Sequence, residues 1–356
     1  MKVLLYRRGL DLASGAGQLM LMQAHGLKAL GIDAQLACHH GAAKFFLRTG
    51  WLPRRVSPIQ LRRLTGRADR IVVDHGMEIP DADLLFVHNL AAEANLHLQR
   101  DDLADRAADE ARFFRELNVA TPIVASSQLV KAALTRHFAL AAERIVVHYP
   151  GFRSDKFQPQ RAALLRGRAR RALKLDGETP LVGFVTSGDF QKRGLDLFLA
   201  SAQAIAQRAP DVSFLVVGSK SLPDWTQQHP LVASGKVHYR PKNTRPELWL
   251  AALDVFLYAA RFEEFGMVIL EAQASGVPVL TSRRVGAAEC LPQAYAPWLL
   301  DTPDANRFAG LALALLADAQ ARDELVAAGL KSVSAFDHRE YARATIATIR
   351  KSKAVA

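Results

Sequence analysis

The sequence predicts an α/β protein with two domains, each built on a parallel β-sheet that helices cover on both faces. Short β-branched apolar runs alternate with helical periodicity along almost the whole chain, which is the pattern of parallel strands joined by crossover helices. The 356 residues exceed what one ordinary core organises and suit two domains of about 150 to 180 residues.

The predicted strands fall into two series. The first is VLLYR, followed by a helix over about residues 17–31, and then IDAQLAC, IVVDHG, DLLFVHN, TPIVAS and ERIVVHY. The second is PLVGFVTS, VSFLVVGS, KVHYRP, LDVFLYAA and VPVLTS. We therefore expect an N-terminal domain over residues 1–160, a C-terminal domain over 175–335 and a closing helix over 336–356. Turn residues and an arginine-rich run place the expected linker near residues 158–175.

Composition favours a soluble globular protein, because 50% of the residues are hydrophobic and 23% are charged. The apolar run before Arg7 is too short for a signal-peptide core, and no stretch approaches the roughly 20 apolar residues of a membrane-spanning helix. Cys38 and Cys290 match no disulfide framework or metal-ligand spacing and are expected to be buried thiols. These features predict a cytoplasmic location.

The formal charge of +11 implies an anionic partner: nucleic acid, a nucleotide, an acidic glycolipid or a membrane surface. Two basic runs, residues 42–68 and 161–175, contain no acid. In the first run, aromatic and apolar side chains interleave with the charges, namely Phe45, Phe46, Trp51 and Leu52. This mixture favours peripheral binding to an anionic membrane, through short helical or looped pieces because Pro53 and Pro58 interrupt the run.

The strongest chemical signal is RFEEFGMVILEAQASGVPVLTS, residues 261–282, which predicts a loop, a helix and a buried strand. Packing explains the apolar stripe of this helix, but it does not explain Glu263 and Glu271. One alternative is that both are solvated glutamates. The other is that a nucleotide diphosphate-sugar lies along the helix start, with a carboxylate at each end and its diphosphate on the amides near Phe265, Gly266 and Met267.

This segment resembles the E-x7-E signature of the family-4 retaining glycosyltransferases, because Glu263, Phe265, Gly266 and Glu271 occupy its defined positions. The resemblance implies the GT-B fold, in which two Rossmann-like domains have parallel sheets facing an interdomain cleft. It also implies that Glu271 holds the ribose hydroxyls of the donor and that Glu263 contacts the transferred sugar.

Weaker matches follow in family order. SGAGQ, with Gly15 and Gly17, resembles the glycine-rich loop that opens the first helix and allows a ligand close to the backbone. An ordinary tight turn is the alternative. YPGFRSDKF, with Gly151 and Phe157, resembles the family's interdomain junction, where a structural turn is again the alternative.

FVTSGDFQKRGLD resembles the family loop that binds the donor diphosphate. The family's first arginine falls here at Ser187 or Gly188, so the resemblance assigns neutralisation of the diphosphate to Lys192 and Arg193, with Gly188 beside the donor. This departure resembles the loop of lipopolysaccharide core glucosyltransferases. Solvated charges at a helix start are the alternative.

His88, just beyond a predicted strand, matches a histidine that the family commonly has near the donor sugar and acceptor. The resemblance implies that it binds by hydrogen bonds or stabilises the transition state. Asp81 and Asp83 could suggest a D-x-D metal motif, but they precede the strand and follow a proline, so we interpret them as a turn. No metal site is predicted, and His39 and His40 lack the spacing of ligands on one face.

Together these features predict a metal-independent retaining glycosyltransferase that uses a nucleotide-sugar donor, with a UDP-sugar favoured, and no other cofactor. The expected acceptor is a glycolipid or an oligosaccharide or polysaccharide of the cell envelope, at the inner face of the cytoplasmic membrane. A nucleotide-sugar epimerase and a basic nucleic-acid-binding protein are the alternatives. The second is disfavoured because no nucleic-acid-binding module accompanies the charge and the glutamate motif would have no role.

Overall fold

The computed structural model describes residues 2–11, 14–67, 69–242 and 245–355. The chain forms two units: the N-terminal unit, Met1–Gly151 with Phe336–Ala356, and the C-terminal unit, Phe152–Ala335. Both units contain a parallel sheet with helices, which confirms the α/β prediction.

The N-terminal unit alternates strands and helices. Its elements are β1 (Lys2–Tyr6), α1 (Gly15–Ala29), β2 (Asp33–Cys38), α2 (Ala42–Thr49), β3 (Arg54–Arg55), α3 (Pro58–Arg62), β4 (Arg70–Asp74), β5 (Leu84–Val87), α4 (Ala91–Leu98), α5 (Asp101–Glu116), β6 (Ile123–Ala125), α6 (Gln128–Phe138) and β7 (Ile145–Val147). The strands lie in the order β3-β2-β1-β4-β5-β6-β7, and every pair is parallel. The apolar runs VLLY of β1 and LLFV of β5 are buried throughout, as expected for strands covered on both faces.

The C-terminal unit repeats this arrangement. Its elements are α7 (Pro159–Ala172), β8 (Leu181–Val185), α8 (Leu195–Arg208), β9 (Ser213–Val217), α9 (Pro230–Ala233), β10 (Val237–Arg240), α10 (Pro246–Leu250), β11 (Val255–Leu257), α11 (Val268–Ala274), β12 (Val279–Ser282), β13 (Leu299–Leu300), α12 (Ala305–Ala317) and α13 (Ala319–Val333). The parallel strands lie in the order β10-β9-β8-β11-β12-β13.

The closing helix α14 (His338–Val355) belongs to the N-terminal unit, although it follows the whole C-terminal unit in the chain. It packs on α1, where the buried amide of Gln23 donates to Thr345 Oγ1 at 2.9 Å. A Cβ on Gly26 would lie 2.5 Å from the Cβ of Ala342, so glycine permits this close packing. The last residue of the expected helix, Ala356, lies outside the described residues.

The segment expected to link the domains is mostly helical. Residues 159–172 form α7 and belong to the C-terminal unit, and the boundary between the units falls at Gly151 and Phe152. Two arginines of this basic run hold the helix to the loop before β11: Arg166 donates to Asp254 Oδ1 at 2.6 Å, and buried Arg170 donates to the carbonyl of Ala252 at 3.0 Å. The charged residues that interrupt the apolar periodicity are thus structural, since two of them anchor α7 to its own unit.

The basic run from residue 42 forms short pieces, as the prolines predicted: α2, β3 and α3. Its aromatic residues do not all face solvent. Phe45 is buried, and Trp51 is half-buried beneath Lys28, whose Nζ lies 3.9 Å from the ring centroid. The exposed apolar side chains are Phe46, Leu47, Leu52 and Ile59. Ala68, at the end of the run, lies outside the described residues.

Among the described residues, no helix combines the length and the apolar character that crossing a membrane requires. Cys38 and Cys290 are both buried free thiols, as expected. Burial raises the pKa of each thiol, so both stay protonated at neutral pH.

Candidate functional site

The loop between β11 and α11 carries Glu263 in a fixed backbone conformation. Its N–H donates to the carbonyl of Arg284 at 2.9 Å, and its carbonyl accepts from the amide of Gly286 at 3.0 Å. These contacts make an isolated parallel bridge between Glu263 and Val285. The backbone of Glu263 is therefore fixed against residues 284–286, and the residue is 7% exposed.

The Glu263 carboxylate lies in a cluster with Arg193 and Tyr258. Its Oε2 accepts a hydrogen bond from the Tyr258 hydroxyl at 3.0 Å and lies 2.7 Å from Arg193 Nε, in an ion pair whose N–H direction does not meet hydrogen-bond geometry. Burial lowers the pKa of Arg193, but the interactions with Glu263 and Tyr258 raise it by more. The pKa of Arg193 therefore lies above its usual value. Burial, with Glu263 beside the phenol, raises the pKa of Tyr258, which therefore remains a donor.

A second ion pair lies next to this cluster. Lys192 Nζ donates to both carboxylate oxygens of Glu264, at 2.7 and 2.6 Å, and both residues are buried. The ammonium also lies 5.4 Å from the ring centroid of Phe262. Lys192 is thus fixed in place by a carboxylate, which the sequence analysis did not anticipate.

Arg261 ties the two charged loops together. Its Nη1 and Nη2 donate to the two carboxylate oxygens of Asp196, at 2.7 and 2.5 Å, and its N–H donates to the carbonyl of Lys192 at 3.0 Å. At the start of α8, Gly194 has φ of 73°, and a Cβ there would lie 2.1 Å from the carbonyl oxygen of Ala259. Only glycine allows the loop of Lys192 and Arg193 to pack this closely.

Gly188 and Gly266 line the cluster of Glu263 and Arg193. A Cβ on Gly188 would lie 3.1 Å from Arg193 Nη1, and one on Gly266 would lie 3.2 Å from Glu263 Cγ. Gly266 also has φ of 86°, in the left-handed region that favours glycine. Both glycines therefore leave room beside the charged side chains.

The predicted loop, helix and strand of residues 261–282 are present, with α11 preceding β12. Gly276, with φ of 75°, follows the end of α11, and its amide donates to the carbonyl of Gln273 at 2.9 Å. At the other end of the helix, the amides of Gly266, Met267 and Val268 donate to no described residue. Phe265 is buried, with its carbonyl accepting from Ala287 at 2.8 Å.

Glu271 lies on α11 apart from the ion pairs. Its side chain is half-buried, and its carboxylate has no hydrogen-bond partner among the described residues. Burial is the main reason that the pKa of Glu271 rises to about 7; Lys156 opposes the rise and Glu247 adds to it. An unpaired acceptor of this kind suits a ligand that supplies hydroxyl donors.

In the N-terminal unit, His88 follows β5 and stacks on His75. The ring centroids are 5.0 Å apart, and His75 Nδ1 lies 2.7 Å from His88 Nε2, so one nitrogen donates to the other. Burial, followed by the charge of Arg7, lowers the pKa of His88 to about 3 although the residue keeps some solvent contact. Burial also holds the pKa of His75 well below its usual value, so both rings are neutral at neutral pH.

The glycine-rich loop is explained in part by packing. Ser14 caps α1 by accepting from the amide of Gly17 at 3.1 Å, and Gly15 is the first residue of that helix. A Cβ on Gly17 would lie 2.1 Å from the carbonyl oxygen of Asp11, so this position requires glycine for the turn itself.

Two other segments also have structural roles. A Cβ on Gly151 would lie 2.7 Å from the carbonyl oxygen of Asp337, and Phe157 is buried. Asp83, of the D-x-D triplet, accepts from the amides of Val72 at 2.7 Å and Gly66 at 3.1 Å. Asp83, just before β5, therefore binds the backbone of β4 and of the segment before β4, in line with a turn.

Of the residues singled out in the sequence, the C-terminal unit contains Gly188, Lys192, Arg193, Glu263, Phe265, Gly266, Met267 and Glu271, and the N-terminal unit contains Gly15, Gly17 and His88. Sequence reasoning missed Tyr258, Glu264, Asp196 and His75. Two adjacent cations, Lys192 and Arg193, and two adjacent acids, Glu263 and Glu264, could have indicated that the two loops form ion pairs with each other. Tyr258 and His75 have no signal of their own, because each is defined only by its spatial neighbour.

Comparison with known proteins places these residues in a family. Residues 179–318 match the family described as Glycosyl transferases group 1, and this segment includes all of the residues named above in the C-terminal unit. The D-inositol 3-phosphate glycosyltransferase of Paenarthrobacter aurescens (strain TC1) is 25% identical over 316 residues, which cover 83% of this chain and 76% of that protein. The enzyme of the same name from Streptomyces scabiei (strain 87.22) is 28% identical over 289 residues, covering 72% of this chain and 63% of that protein.

Solved structures share the fold over the whole chain. WaaG, a glycosyltransferase involved in lipopolysaccharide biosynthesis, has a TM-score of 0.80 and 17% identity, with 98% of this chain and 99% of that chain covered. Anabaena Alr3699/HepE in complex with UDP and glucose has a TM-score of 0.76 and 18% identity, with the same coverage of 98% and 99%. Residues 179–318 therefore form a domain of the glycosyl transferases group 1 family, in a chain with the two parallel-sheet Rossmann-like domains of the GT-B glycosyltransferases.

Proposed function

We propose that this protein transfers a sugar from a nucleotide-sugar donor, a UDP-sugar, to a glycolipid or polysaccharide acceptor, with retention of anomeric configuration and without a metal ion. The observation that carries the proposal is the pair of cations, Lys192 and Arg193, fixed by Glu264 and Glu263 within the segment that matches the glycosyltransferase family. The UDP bound in Alr3699/HepE supports the choice of donor.

The fixed cations suit the charge that develops in the reaction. Breaking the sugar–phosphate bond leaves negative charge on the departing diphosphate, and Lys192 and Arg193 stabilise it with side chains that need not reorganise. Gly188 and the amides of Gly266 and Met267 allow the diphosphate close to the backbone. The proposed transfer therefore draws its electrostatic stabilisation from the protein.

The carboxylates have separate roles in the proposal. Glu271 accepts hydrogen bonds from the donor ribose, because its carboxylate has no hydrogen-bond partner among the described residues. Glu263 already accepts from Tyr258 and faces Arg193, so it orients the transferred sugar and is a poor free nucleophile. The departing phosphate takes the acceptor proton, and His88 contacts the acceptor or donor sugar as a neutral hydrogen-bonding group.

The acceptor belongs to the N-terminal unit in this proposal, and the donor to the C-terminal unit. A cell-envelope glycolipid is supported by the involvement of WaaG in lipopolysaccharide biosynthesis and by the basic surface of residues 42–67. We place the reaction at the inner face of the cytoplasmic membrane. Exposed Gly15 leaves the start of the first helix accessible to a ligand, and Gly17 makes the tight turn that shapes this loop.

The proposal is tested by UDP release from a panel of UDP-sugars, with and without a bacterial glycolipid extract, in excess EDTA. We expect release to depend on the extract, to be unaffected by EDTA and to fall at least 100-fold in Glu263→Gln, while Glu324→Gln on the exposed face of α13 behaves as wild type. Activity that EDTA abolishes and manganese restores would contradict metal independence. UDP and a rearranged sugar formed without acceptor would favour an epimerase, and an inverted anomeric centre in the product would exclude retention.

A further inference from the structure

A pocket of about 260 Å³ opens in the N-terminal unit at the carboxyl ends of β1, β4 and β5. The strand order reverses direction between β1 and β4, and ligands of open parallel sheets bind beyond the strand ends at such a reversal. Residues 7–9, which follow β1, and residues 75–78, which follow β4, form two sides of the pocket. The topology and the cavity thus indicate the same place.

The pocket has an excess of positive charge. Arg7, Arg8 and Arg106 line it, against the single carboxylate of Glu78, and that carboxylate is paired with Arg8 at 2.8 Å. Neither Arg7 nor Arg106 forms an ion pair with any described residue. Two of the three cations therefore lack a neutralising partner.

Arg7 is the cation that most needs an anion. It is half-buried, and its Nη1 donates to the neutral hydroxyl of Ser14 at 3.2 Å. Burial lowers the pKa of Arg7, and the like charge of Arg106 lowers it further. The negative charges of Glu78 and Asp11 raise it, but by less. A second cation beside a desolvated guanidinium is unfavourable unless an anion lies between them.

Three other polar residues of the pocket are neutral. His75, His88 and Asn89 line it, and the buried Nε2 of His75 has no hydrogen-bond partner among the described residues. The loop that carries His75 is rigid, because the buried Asp74 carboxylate accepts from the amides of Gly76 at 2.7 Å and Glu78 at 2.6 Å. Unpaired cations together with neutral hydrogen-bonding groups suit a polyhydroxylated molecule with one strongly anionic group.

We propose that this pocket binds a phosphate monoester on the acceptor, with Arg7 and Arg106 on the phosphate oxygens and His75 and His88 on neighbouring hydroxyls. Arginine presents paired donors that match phosphate oxygens, and two unpaired cations match a dianion better than a carboxylate. The volume lies below the roughly 300–1,000 Å³ typical of whole small-molecule sites, so it suits one phosphorylated sugar-sized group and is too small for a nucleotide-sugar. That the phosphate belongs to an acceptor rests on the function proposed above.

The test uses the full-length protein, first saturated with UDP so that its donor site cannot take the probe. Binding of inorganic phosphate and of acetate is then measured by isothermal titration calorimetry at low and high salt. The variants are Arg7→Gln, Arg7→Lys and Arg106→Gln, and the matched control is Arg112→Gln, an exposed arginine on the same helix α5 as Arg106. UDP binding to each variant reports whether the donor side is intact.

We expect phosphate to bind wild type and Arg112→Gln equally, to bind Arg7→Gln and Arg106→Gln at least 10-fold more weakly, and to be recovered in part by Arg7→Lys. Acetate should bind at least 10-fold more weakly than phosphate. Absence of phosphate binding to wild type, equal binding by Arg106→Gln and Arg112→Gln, or a preference for acetate would each overturn the proposal. Because Arg106 is exposed, its substitution tests the pocket even if Arg7→Gln fails to fold. Failure of UDP to bind wild type would instead reject the proposed function.

Discussion

Glu271 and Glu263 are two carboxylates of one motif in different electrostatic environments. Glu263 faces Arg193 and receives a hydrogen bond from Tyr258, whereas Glu271 has neither kind of partner among the described residues. Burial therefore acts on Glu271 with little compensation and raises its pKa to about 7. The two glutamates should respond differently to pH and to substitution.

Donor affinity should depend on the ionisation of Glu271. The carboxylate accepts ribose hydroxyls only when it is charged, so UDP affinity of the wild type should fall as the pH drops from about 8 to 6, through a pKa of about 7. Glu271→Gln should weaken UDP binding about 10- to 100-fold at pH 8, from the loss of about 1.5 to 3 kcal/mol of charge-assisted hydrogen bonding, and should remove this pH dependence. Calorimetry across the pH range measures both effects. A wild-type profile that is flat, or an affinity that Glu271→Gln leaves unchanged, would exclude the role.

The same substitution should affect stability with the opposite sign. The folded pKa of about 7 lies above the usual 4.5, so the wild type is destabilised as the pH rises from about 4.5 to 7, and the penalty is absent below that window. Glu271→Gln should therefore unfold at a higher temperature than wild type at pH 8 and at a similar temperature at pH 4. Circular dichroism melts give the comparison, and a lower midpoint at pH 8 would show that the charged carboxylate stabilises the fold.

At this scale the sequence predicts which residues stand out but not their contacts. The spacing of Glu263, Gly266 and Glu271 is visible in one dimension, and so is the adjacency of Lys192 and Arg193. The ion pair of Lys192 with Glu264 forms only because the loop after β8 meets the loop after β11. No local sequence pattern encodes that contact. Their roles in catalysis remain predictions.

Among the elements, the short pieces between β2 and β4 form the surface with the clearest mixture of cations and apolar side chains. The arginines of β3 and Arg62 and Arg63, at the end of α3, are exposed. The large apolar side chains that accompany them in solvent are Phe46 (43%), Leu47 (83%), Leu52 (71%) and Ile59 (71%). Of the residues that the sequence predicted for this surface, Phe46 and Leu52 are exposed, whereas Phe45 is buried and Trp51 is half-buried. The sequence does not distinguish them because buried and exposed members of the run occur at similar spacing.

This surface should bind anionic membranes. Each basic residue near an anionic leaflet contributes about 1 kcal/mol, and burial of exposed apolar side chains adds a term that salt weakens less. Reversing Arg54, Arg55, Arg62 and Arg63 to glutamate should reduce co-sedimentation with phosphatidylglycerol vesicles at low salt and leave donor hydrolysis in solution unchanged. A matched control reverses four exposed cations of the C-terminal unit, Arg168, Arg171, Lys174 and Arg208. If both variants lose co-sedimentation equally, the net charge of the protein and not this surface explains binding. If the wild-type protein stays in the supernatant, the membrane-binding prediction is wrong.

The strands show where pattern reading succeeds. All eleven predicted apolar runs form strands, because short runs of β-branched and other apolar residues between turn residues are a local pattern. The sequence analysis missed β3 and β13, which are edge strands of two residues each and carry no periodic signal. The arginine-rich run was expected to link the domains because charge interrupts its periodicity, but Arg166 and Arg170 make its helix part of the C-terminal unit.

At the scale of the whole molecule, the chain leaves the N-terminal unit at Gly151 and returns to it at Phe336. The sequence predicts the closing helix itself, since its periodicity is local. It does not predict which unit the helix completes, because that depends on contacts such as Gln23 with Thr345, 322 positions apart. The α14 helix supplies buried residues to the surface of α1, including Ala342 against Gly26 and Thr345 against Gln23.

Removal of α14 should destabilise one unit and spare the other. A chain that ends at residue 337 exposes the face of α1 around Gln23 and Gly26, which the helix buries. We expect hydrogen exchange measured by mass spectrometry to show faster exchange in α1 and in β1 to β5, with protection in β8 to β12 unchanged. Gln23→Ala in the full chain is the milder companion variant. Unchanged protection of α1 would show that the N-terminal unit folds without α14.

The return of the chain also sets an order of events during protein synthesis. The C-terminal unit is continuous, so all of it is synthesised before α14. The N-terminal unit begins first and is completed last, and until then the α14-binding face of α1 is open to solvent, to chaperones or to another nascent chain. A ribosome that pauses between residues 336 and 355 would prolong this exposure, so the rate of translation over the codons of this segment bears on the yield of native protein.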